Sequence, residues 1–328
     1  MKNWKKVLLI IFIILIISAS VVVGYGYYKL SKIKTVPITK TNEALGIKPI
    51  ENVAVVEDKD IINIALFGLD KRDKTEPGRS DSIMVLTIDE LHKKIKLSSI
   101  MRDTYVDINK HGKTKINHAF AYGGAQLAIR TLNENFDLNI RDYVSVDFFE
   151  LEKIIDSLGG VTINVKSDEV NLINSYMQEV ATIEHSPFNK VTNSGNQLLD
   201  GRQAVAYSRI RYTEGGDFVR TDRQRTVLSA LLTKIQQSGK AAYPNVISKL
   251  LPFTETSMNS LDIVKLGTSI FTLNISTVQQ ERFPIDGYCK GEMIEDVWYL
   301  VSDLKATTEQ LHKYIYEDVK PIPLAPLF

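Results

Sequence analysis

Residues 61–101 open on Ile61-Ile62-Asn63-Ile64-Ala65-Leu66-Phe67, continue through Ser82-Ile83-Met84-Val85-Leu86-Thr87-Ile88 and close on Lys94-Ile95-Lys96-Leu97-Ser98-Ser99-Ile100-Met101. Each run is short and rich in β-branched residues, and the last partly alternates apolar with polar, so the stretch reads as three strands. Strands joined this closely form a meander, which brings the end of the first, the beginning of the second and the end of the third to one edge of the sheet. Asp70, Asp81 and Arg102 stand at those places. Two carboxylates on one rim, joined by a loop that carries Arg72 and Arg79, are a candidate seat for a hard divalent cation, which takes oxygen ligands and keeps waters for a phosphate. Mg²⁺ is the natural choice, with Mn²⁺ as its substitute. Asp is also an ordinary loop residue, and spacing alone leaves both readings open.

Beyond the meander the period changes. Apolar residues recur at helical spacing over 124–136 and 148–158, and Gly159-Gly160 closes the second helix ahead of a strand at Val161-Thr162-Ile163-Asn164-Val165. A long helix is expected over 219–238, with further helical patterns at 261–271 and 293–304. This mixture predicts an α/β domain with a mixed sheet, running undivided over 61–328 with its informative motifs in 61–240.

Toward the N-terminus, no charged residue occurs from Val7 to Tyr28, and about 20 apolar residues cross a bilayer as a helix. Lys2, Lys5 and Lys6 with Ser18-Ala19-Ser20 resemble a cleaved signal, but Val21-Val22-Val23 continues past that site and Tyr25, Tyr27 and Tyr28 suit an interfacial belt. The expectation is a tail at 1–6, an uncleaved transmembrane signal anchor at 7–28 and a stalk with a lead-in strand at 29–60. Lysines flank both ends of the span, so charge alone does not orient it. In a chain of 328 residues a formal net charge of +1 excludes a surface built to coat nucleic acid. Cys289, the single cysteine, has no partner for a disulfide or a zinc site and reads as a packing residue.

A second charge cluster lies at Tyr207-Ser208-Arg209-Ile210-Arg211-Tyr212-Thr213-Glu214-Gly215-Gly216-Asp217-Phe218-Val219-Arg220-Thr221-Asp222-Arg223-Gln224-Arg225, which holds five arginines. On a helix from Val219, the residues Arg220, Gln224, Leu228, Leu231 and Ile235 share one stripe, so Arg220 and Gln224 extend a buried face into a pocket. Arg223 and Arg225 lie to either side, and Arg223 is the preferred site member. Asp217 is a candidate N-cap and equally a candidate catalytic carboxylate. Arginine binds phosphate through a planar fork, and the helix start after Gly215-Gly216 offers free NH groups, so these residues with the two aspartates suggest a Mg-pyrophosphate site. A surface ion-pair network among Glu214, Asp217, Asp222 and the arginines is the competing reading.

Several segments in order carry a family resemblance: Asn63-Ile64-Ala65-Leu66-Phe67-Gly68-Leu69-Asp70, Gly78-Arg79-Ser80-Asp81-Ser82-Ile83-Met84, Ser98-Ser99-Ile100-Met101-Arg102-Asp103-Thr104 and Lys115-Ile116-Asn117-His118-Ala119-Phe120-Ala121-Tyr122-Gly123-Gly124. Asp142-Tyr143-Val144-Ser145-Val146-Asp147-Phe148, Asp156-Ser157-Leu158-Gly159-Gly160-Val161 and Leu199-Asp200-Gly201-Arg202-Gln203-Ala204 extend it into the arginine cluster. In these the chain resembles the LytR-CpsA-Psr family, membrane-anchored enzymes of Gram-positive cells that attach teichoic acids, capsules and similar polymers to peptidoglycan. The resemblance implies a central mixed sheet flanked by helices outside the cell membrane, an apolar tunnel for a polyprenyl tail, and phosphotransfer of a glycopolymer from polyprenyl pyrophosphate to a peptidoglycan sugar hydroxyl. It implies magnesium on Asp70 and Asp81, pyrophosphate on Arg79, Arg102, Arg209, Arg211, Arg220 and Gln224, with Arg223 matching too, and catalytic roles for Asp81, Arg102, Arg220 and Asp217. Which of Arg209 and Arg211 reaches the pyrophosphate, and whether Asp217 or Asp103 assists deprotonation, stay open. His118 reads as structural. Phe120, Ile129 and Leu132 are candidates for the tunnel wall and equally for plain core. Hydrolysis of the same lipid and a non-catalytic lipid-binding regulator are the rival functions.

Overall fold

The computed structural model describes residues 34–48, 60–70, 78–184, 186–211, 215–239, 242–272 and 278–324. A short strand β1 (Lys34–Thr35) precedes the expected meander, β2 (Ile61–Asp70), β3 (Arg79–Asp89) and β4 (Lys94–Ile100). A hairpin of β5 (Tyr105–Ile108) and β6 (Gly112–Lys115) leads into α1 (His118–Phe136), β7 (Asp142–Asp147), α2 (Phe148–Ser157), β8 (Val161–Val165) and α3 (Ser167–Glu184). There follow β9 (Gly195–Leu199), α4 (Gly201–Arg209), α5 (Gly216–Gln237), α6 (Tyr243–Leu250), β10 (Glu255–Thr256), α7 (Ser260–Thr272) and β11 (Val278–Phe283). The described chain ends with β12 (Cys289–Ile294), β13 (Val297–Ser302) and α8 (Leu304–Tyr316).

Seven strands form one sheet in the order β1-β10-β7-β2-β3-β4-β11. The meander is antiparallel, while β7 runs parallel to β2 and β11 parallel to β4, so the sheet is mixed. Alternation along the strands sorts side chains to two covered faces. Ala65, Phe67, Leu69, Ile83 and Val85 meet α1 and α8 through residues such as Ile129, Leu132, Leu311 and Tyr314. Ile64, Leu86 and Leu97 take the opposite side with Leu251, Met258 and Ile263, and Leu228 and Leu232 of α5 pack there too. A separate cluster joins α2, α3, α4 and α5 to the β8–β9 ribbon.

One expectation changes here, and two open ones take a definite place. The pattern at 293–304 is not a helix: β12 and β13 pair from Cys289↔Ser302 to Ile294↔Val297, and Glu295 (φ 48) with Asp296 (φ 62) makes the left-handed two-residue turn that a tight hairpin requires. The run Val297-Trp298-Tyr299-Leu300-Val301 has the β-branched and aromatic character of a strand, and Asp303 caps the helix that follows. Within the expected stalk and lead-in strand, β1 pairs with β10 and residues 34–48 belong to the folded body, with Leu45 fully buried in the main core. Phe120, Ile129 and Leu132, for which tunnel wall and core were both open, pack in the main core. All three are buried in the layer between the sheet and α1, where the Phe120 ring stands edge-on to Phe67 at 5.2 Å. The expected anchor at 7–28 lies outside the described residues, among which no helix is long and apolar enough to cross a membrane.

Candidate functional site

Between β2 and β3 the register slips at one point: Gly68 faces Ser82 but Leu69 faces Ser80, so Asp81 is the extra residue of a β-bulge. A bulge re-aims the side chain it inserts, and this one sets Asp81 at the rim that also receives Asp70 and Arg102. Arg102 Nη1 lies 2.8 Å from Asp81 Oδ1, and Arg211 Nη2 lies 3.4 Å from Asp81 Oδ2. The second charge cluster closes on the same point. Gly215 (φ 88) and Gly216 (φ 51) take left-handed conformations that glycine alone adopts freely, so α5 begins ahead of Asp217. Asp217 is therefore in the first turn rather than a cap, and its carboxylate contacts Arg102 Nε at 3.3 Å and Arg220 Nη2 at 2.7 Å.

Arg220 is the most constrained of these groups. It is 2% exposed, and its Nε and Nη2 have no hydrogen-bond partner among the described residues; the contact to Asp217 is an ion pair without hydrogen-bond alignment. Burial pushes its pKa down to about 10; Asp217 pulls it back while Arg102 and Arg211 push further, so it is still a cation at neutral pH. For Arg102 burial also acts downward, but Asp81, Asp217 and Asp103 together outweigh it and raise the pKa. A buried guanidinium with unmet donors and cationic neighbours is a site in want of an anion.

Three connected spaces meet here. A pocket of about 340 Å³ is lined by Asp70, Asp81, Arg209, Arg211, Arg220 and Gln224, with Phe148 of α2 and Leu172, Tyr176 and Glu179 of α3. A wide cleft of about 960 Å³ shares Asp70, Asp81 and Arg211 with it and adds Arg79, Arg102, Asp103, Lys115, Asn117 and His118. On the inner side, an apolar cavity of about 210 Å³ shares Phe148 and Gln224 with the pocket. It runs between the sheet, at Leu66, Gly68, Met84, Val144 and Val146, and the helices α2 and α5, at Leu151, Ile154, Val227, Leu228 and Leu231. The stripe expected on α5 thus passes from charge at Arg220, through Gln224, to grease at Leu231.

Arg209 and Arg211 both line the pocket, and the Arg209 guanidinium is held over the rings of Phe148 (5.2 Å) and Tyr176 (6.0 Å). Arg223 is not brought to the pocket. It is buried against Glu169 at 2.8 Å and donates to the Ile210 carbonyl, so it braces the segment carrying Arg211 rather than facing a ligand. His118 stands on the wall of the wide cleft with Nδ1 2.9 Å from Thr114 Oγ1. Burial first, then Arg79 and Lys115, lower its pKa against the pull of Asp103, which keeps the ring neutral at pH 7. Tyr176 and Glu179 were not anticipated, because nothing local separates the pocket face of α3 from its solvent face, and Phe148 stood in the sequence only as the end of the Asp142–Phe148 segment, with no sign of a pocket role. Lys115, paired with Asp103 at 2.7 Å, carried a signal as a base within the Lys115-Ile116-Asn117-His118 segment. Among the described residues no three His, Cys, Asp or Glu side chains form a group that could hold a metal ion; the carboxylates lining the pocket are Asp70, Asp81 and Glu179.

A model described as the LytR_cpsA_psr family matches residues 22–314. The polyisoprenyl-teichoic acid–peptidoglycan teichoic acid transferase TagU of Enterococcus faecalis is 32% identical over 296 residues, covering 88% of this chain and 90% of its own. A structure of TagT bound to LI-WTA aligns with a TM-score of 0.65 and 27% identity over 85% of this chain and 99% of that one. The LytR-CPS2A-psr family protein YwtF (TagT) with bound octaprenyl pyrophosphate lipid aligns with a TM-score of 0.61, at 27% identity over 85% and 99% of the two chains.

Proposed function

The chain belongs to the LytR-CpsA-Psr family, and we propose that it transfers an anionic glycopolymer, such as teichoic acid, from a polyprenyl pyrophosphate carrier to a sugar hydroxyl of peptidoglycan. The observation that carries this reading is Arg220: a buried cation with unmet donors, set where a polar cleft meets an apolar cavity. A lipid pyrophosphate matches that junction, with its headgroup in the pocket and the start of its tail past Gln224.

In this reading Arg220, Arg102, Arg211 and Arg209 bind the two phosphates and spread their charge. The acceptor oxygen attacks the polymer-proximal phosphorus, the bond from that phosphorus to the bridging oxygen breaks, and polyprenyl phosphate leaves with the bridging oxygen as the hydroxyl proton is released. Positioning and charge neutralisation supply most of the rate in such transfers. Asp70 and Asp81 would hold Mg²⁺, with the Asp81 oxygens exchanging their ion pairs to Arg102 and Arg211 for the cation as those guanidiniums turn to the phosphates, and two carboxylates leave room for phosphate oxygens and waters around a hard cation. When bound, the ion would supply further charge neutralisation at the phosphates. Both oxygens of Asp217 face guanidiniums, so it positions Arg102 and Arg220. A cleft of about 960 Å³ has room for a bulky sugar acceptor. The anchor expected at 7–28 would hold this body at the outer face of the cell membrane.

The test is reconstitution of the full chain with a lipid-linked polymer and glycan strands, scoring covalent conjugate and released polyprenyl phosphate. Arg220→Ala and Asp81→Asn should each lower transfer about 100-fold or more while the protein stays folded, and chelation of divalent ions should do the same. Normal conjugate formation by a folded Arg220→Ala protein would remove the basis of the assignment.

A further inference from the structure

The β12–β13 hairpin lies outside the main sheet and presents apolar surface that nothing among the described residues covers. Met293 is 65% exposed, and its cross-strand partner Trp298 is 42% exposed, as is Val297 beside it. The hairpin is docked rigidly beside the site: Leu300 is bridged to Thr104, and its NH donates to the Asp103 carbonyl at 2.9 Å, one residue from Arg102. Lys115 joins the two regions. Its ammonium pairs with Asp103 and lies 5.8 Å from the Trp298 ring and 5.9 Å from the Tyr299 ring, while Tyr299 packs on Tyr105 at 4.7 Å. Val297 and Lys115 both line the wide cleft. Trp298 is also pre-set, because its indole lies over Gly291, where any Cβ would come within 2.8 Å of Nε1.

Trp298 does not itself line the cleft, but it stands next to it, linked through Lys115, whose ammonium lies 5.8 Å from the ring, and exposed aromatic surface beside a polar cleft marks a binding surface. Sugars fit it, since a pyranose ring offers a face of C–H groups to an aromatic plane and hydroxyls to the polar groups beside it. Two arguments choose between donor and acceptor sugars. In phosphoryl transfer the attacking and leaving oxygens lie roughly in line across phosphorus. The leaving lipid phosphate points to the apolar cavity at Phe148 and Gln224, so the acceptor arrives from the opposite side, through the wide cleft. Charge makes the second argument. Lys115 is neutralised by Asp103, Lys290 pairs with Glu292, and the turn carries Glu295 and Asp296, which repel a polyanion but not an uncharged glycan.

We propose that the β12–β13 hairpin, through Trp298 with Val297 and Lys115, is the docking rail for the acceptor glycan strand of alternating N-acetylated hexosamines. This rests on the transferase reading for its role in turnover, though binding itself can be read without it. In the reconstituted reaction Trp298→Ala should raise the KM for the acceptor about tenfold and leave kcat and the donor KM within about twofold, while Trp298→Phe keeps most of the acceptor affinity. An unchanged acceptor KM overturns the rail, and so does a rise in donor KM instead, which would assign the surface to the polymer. Because the chain has only two tryptophans, a Trp4→Phe protein reports Trp298 fluorescence alone. Titration with peptidoglycan-derived glycan oligosaccharides, without donor, should change it saturably; a flat titration overturns the rail. If the wild type binds these oligosaccharides but transfers nothing, it is the transferase reading that fails.

Discussion

Arg220 pays a standing cost for its position, and that cost can be measured. Removing one partner of a buried pair is ordinarily destabilising because the other is left uncompensated. Here Asp217 keeps Arg102 at 3.3 Å, whereas Arg220 itself has unmet buried donors and two cationic neighbours. Replacing it by an apolar side chain of similar length should therefore relieve more than it removes. Arg220→Met is expected to raise the stability of the ligand-free protein by about 1 kcal/mol or more while abolishing transfer, read as an increased urea midpoint beside lost conjugate formation. A lowered midpoint would show that Asp217 depends on Arg220 after all. His118 gives a second residue-scale outcome. Its folded pKa lies below the unfolded 6.5, so as pH falls through 6.5 the unfolded chain takes up a proton that the folded protein refuses. Stability is thus full above that pH and declines below it toward the lowered folded pKa, and His118→Gln should flatten that part of the Tm–pH curve. An unaltered slope below pH 6.5 would place the ring in a solvated setting. At this scale Asp70, Asp81 and Arg102 were legible because meander topology alone sends them to one rim. Arg223 was not, since helical phase cannot name a partner 54 residues away. Nor could the apolar stripe of α1 reveal which face of the sheet holds the cavity.

At the scale of elements, α5 carries both Arg220 and Gln224 of the proposed anion site and the Arg223 strut behind them. Arg223 and Glu169 join α5 to the start of α3 as a pair with side chains only 4% and 2% exposed, and Arg223 also donates to the Ile210 carbonyl. Glu169 acts on a further helix: after burial, it is the main influence that pushes Tyr207 of α4 up to about 12. Arg223→Met should destabilise the protein by about 3 kcal/mol, because it strands a buried carboxylate, and Glu169→Met in the same chain should restore a large part of the loss. Denaturant unfolding of the two single variants and the double variant measures this, and the folded single variant should keep its donor KM. A raised donor KM with unchanged stability would return Arg223 to the ligand. The helix–strand error at 293–304 belongs to the same scale: Val297, Leu300 and Val301 satisfy a helical period as well as a strand, and only the left-handed pair Glu295-Asp296 breaks the ambiguity. A Glu-Asp pair carries no strong turn signal, unlike the glycines that punctuate α2 and α5 correctly.

For the molecule as a whole, the sheet acts as the wall between two solvents. Its α1 and α8 side is filled, and its α5 side leaves an apolar cavity of about 210 Å³ that opens toward the charged pocket. Ligand free energy should then divide into a headgroup part, set by the arginines, and a tail part, set by how much hydrocarbon the cavity accepts. Binding to the native state alone raises stability by about 2.7 kcal/mol at a ligand concentration 100 times Kd, so thermal shift reports both parts. Inorganic pyrophosphate should give a small shift. Prenyl pyrophosphates of increasing chain length, each at the same free concentration, should give progressively larger ones, since burial is worth about 0.8 kcal/mol per CH₂, until the cavity is filled and the shift levels off. Leu228→Trp, which occupies the cavity from α5, should bring that plateau to a shorter chain while leaving the pyrophosphate shift as it was. A shift independent of chain length in the wild type would mean that the tail lies elsewhere, and that the junction at Phe148 and Gln224 is not where lipid and phosphate part.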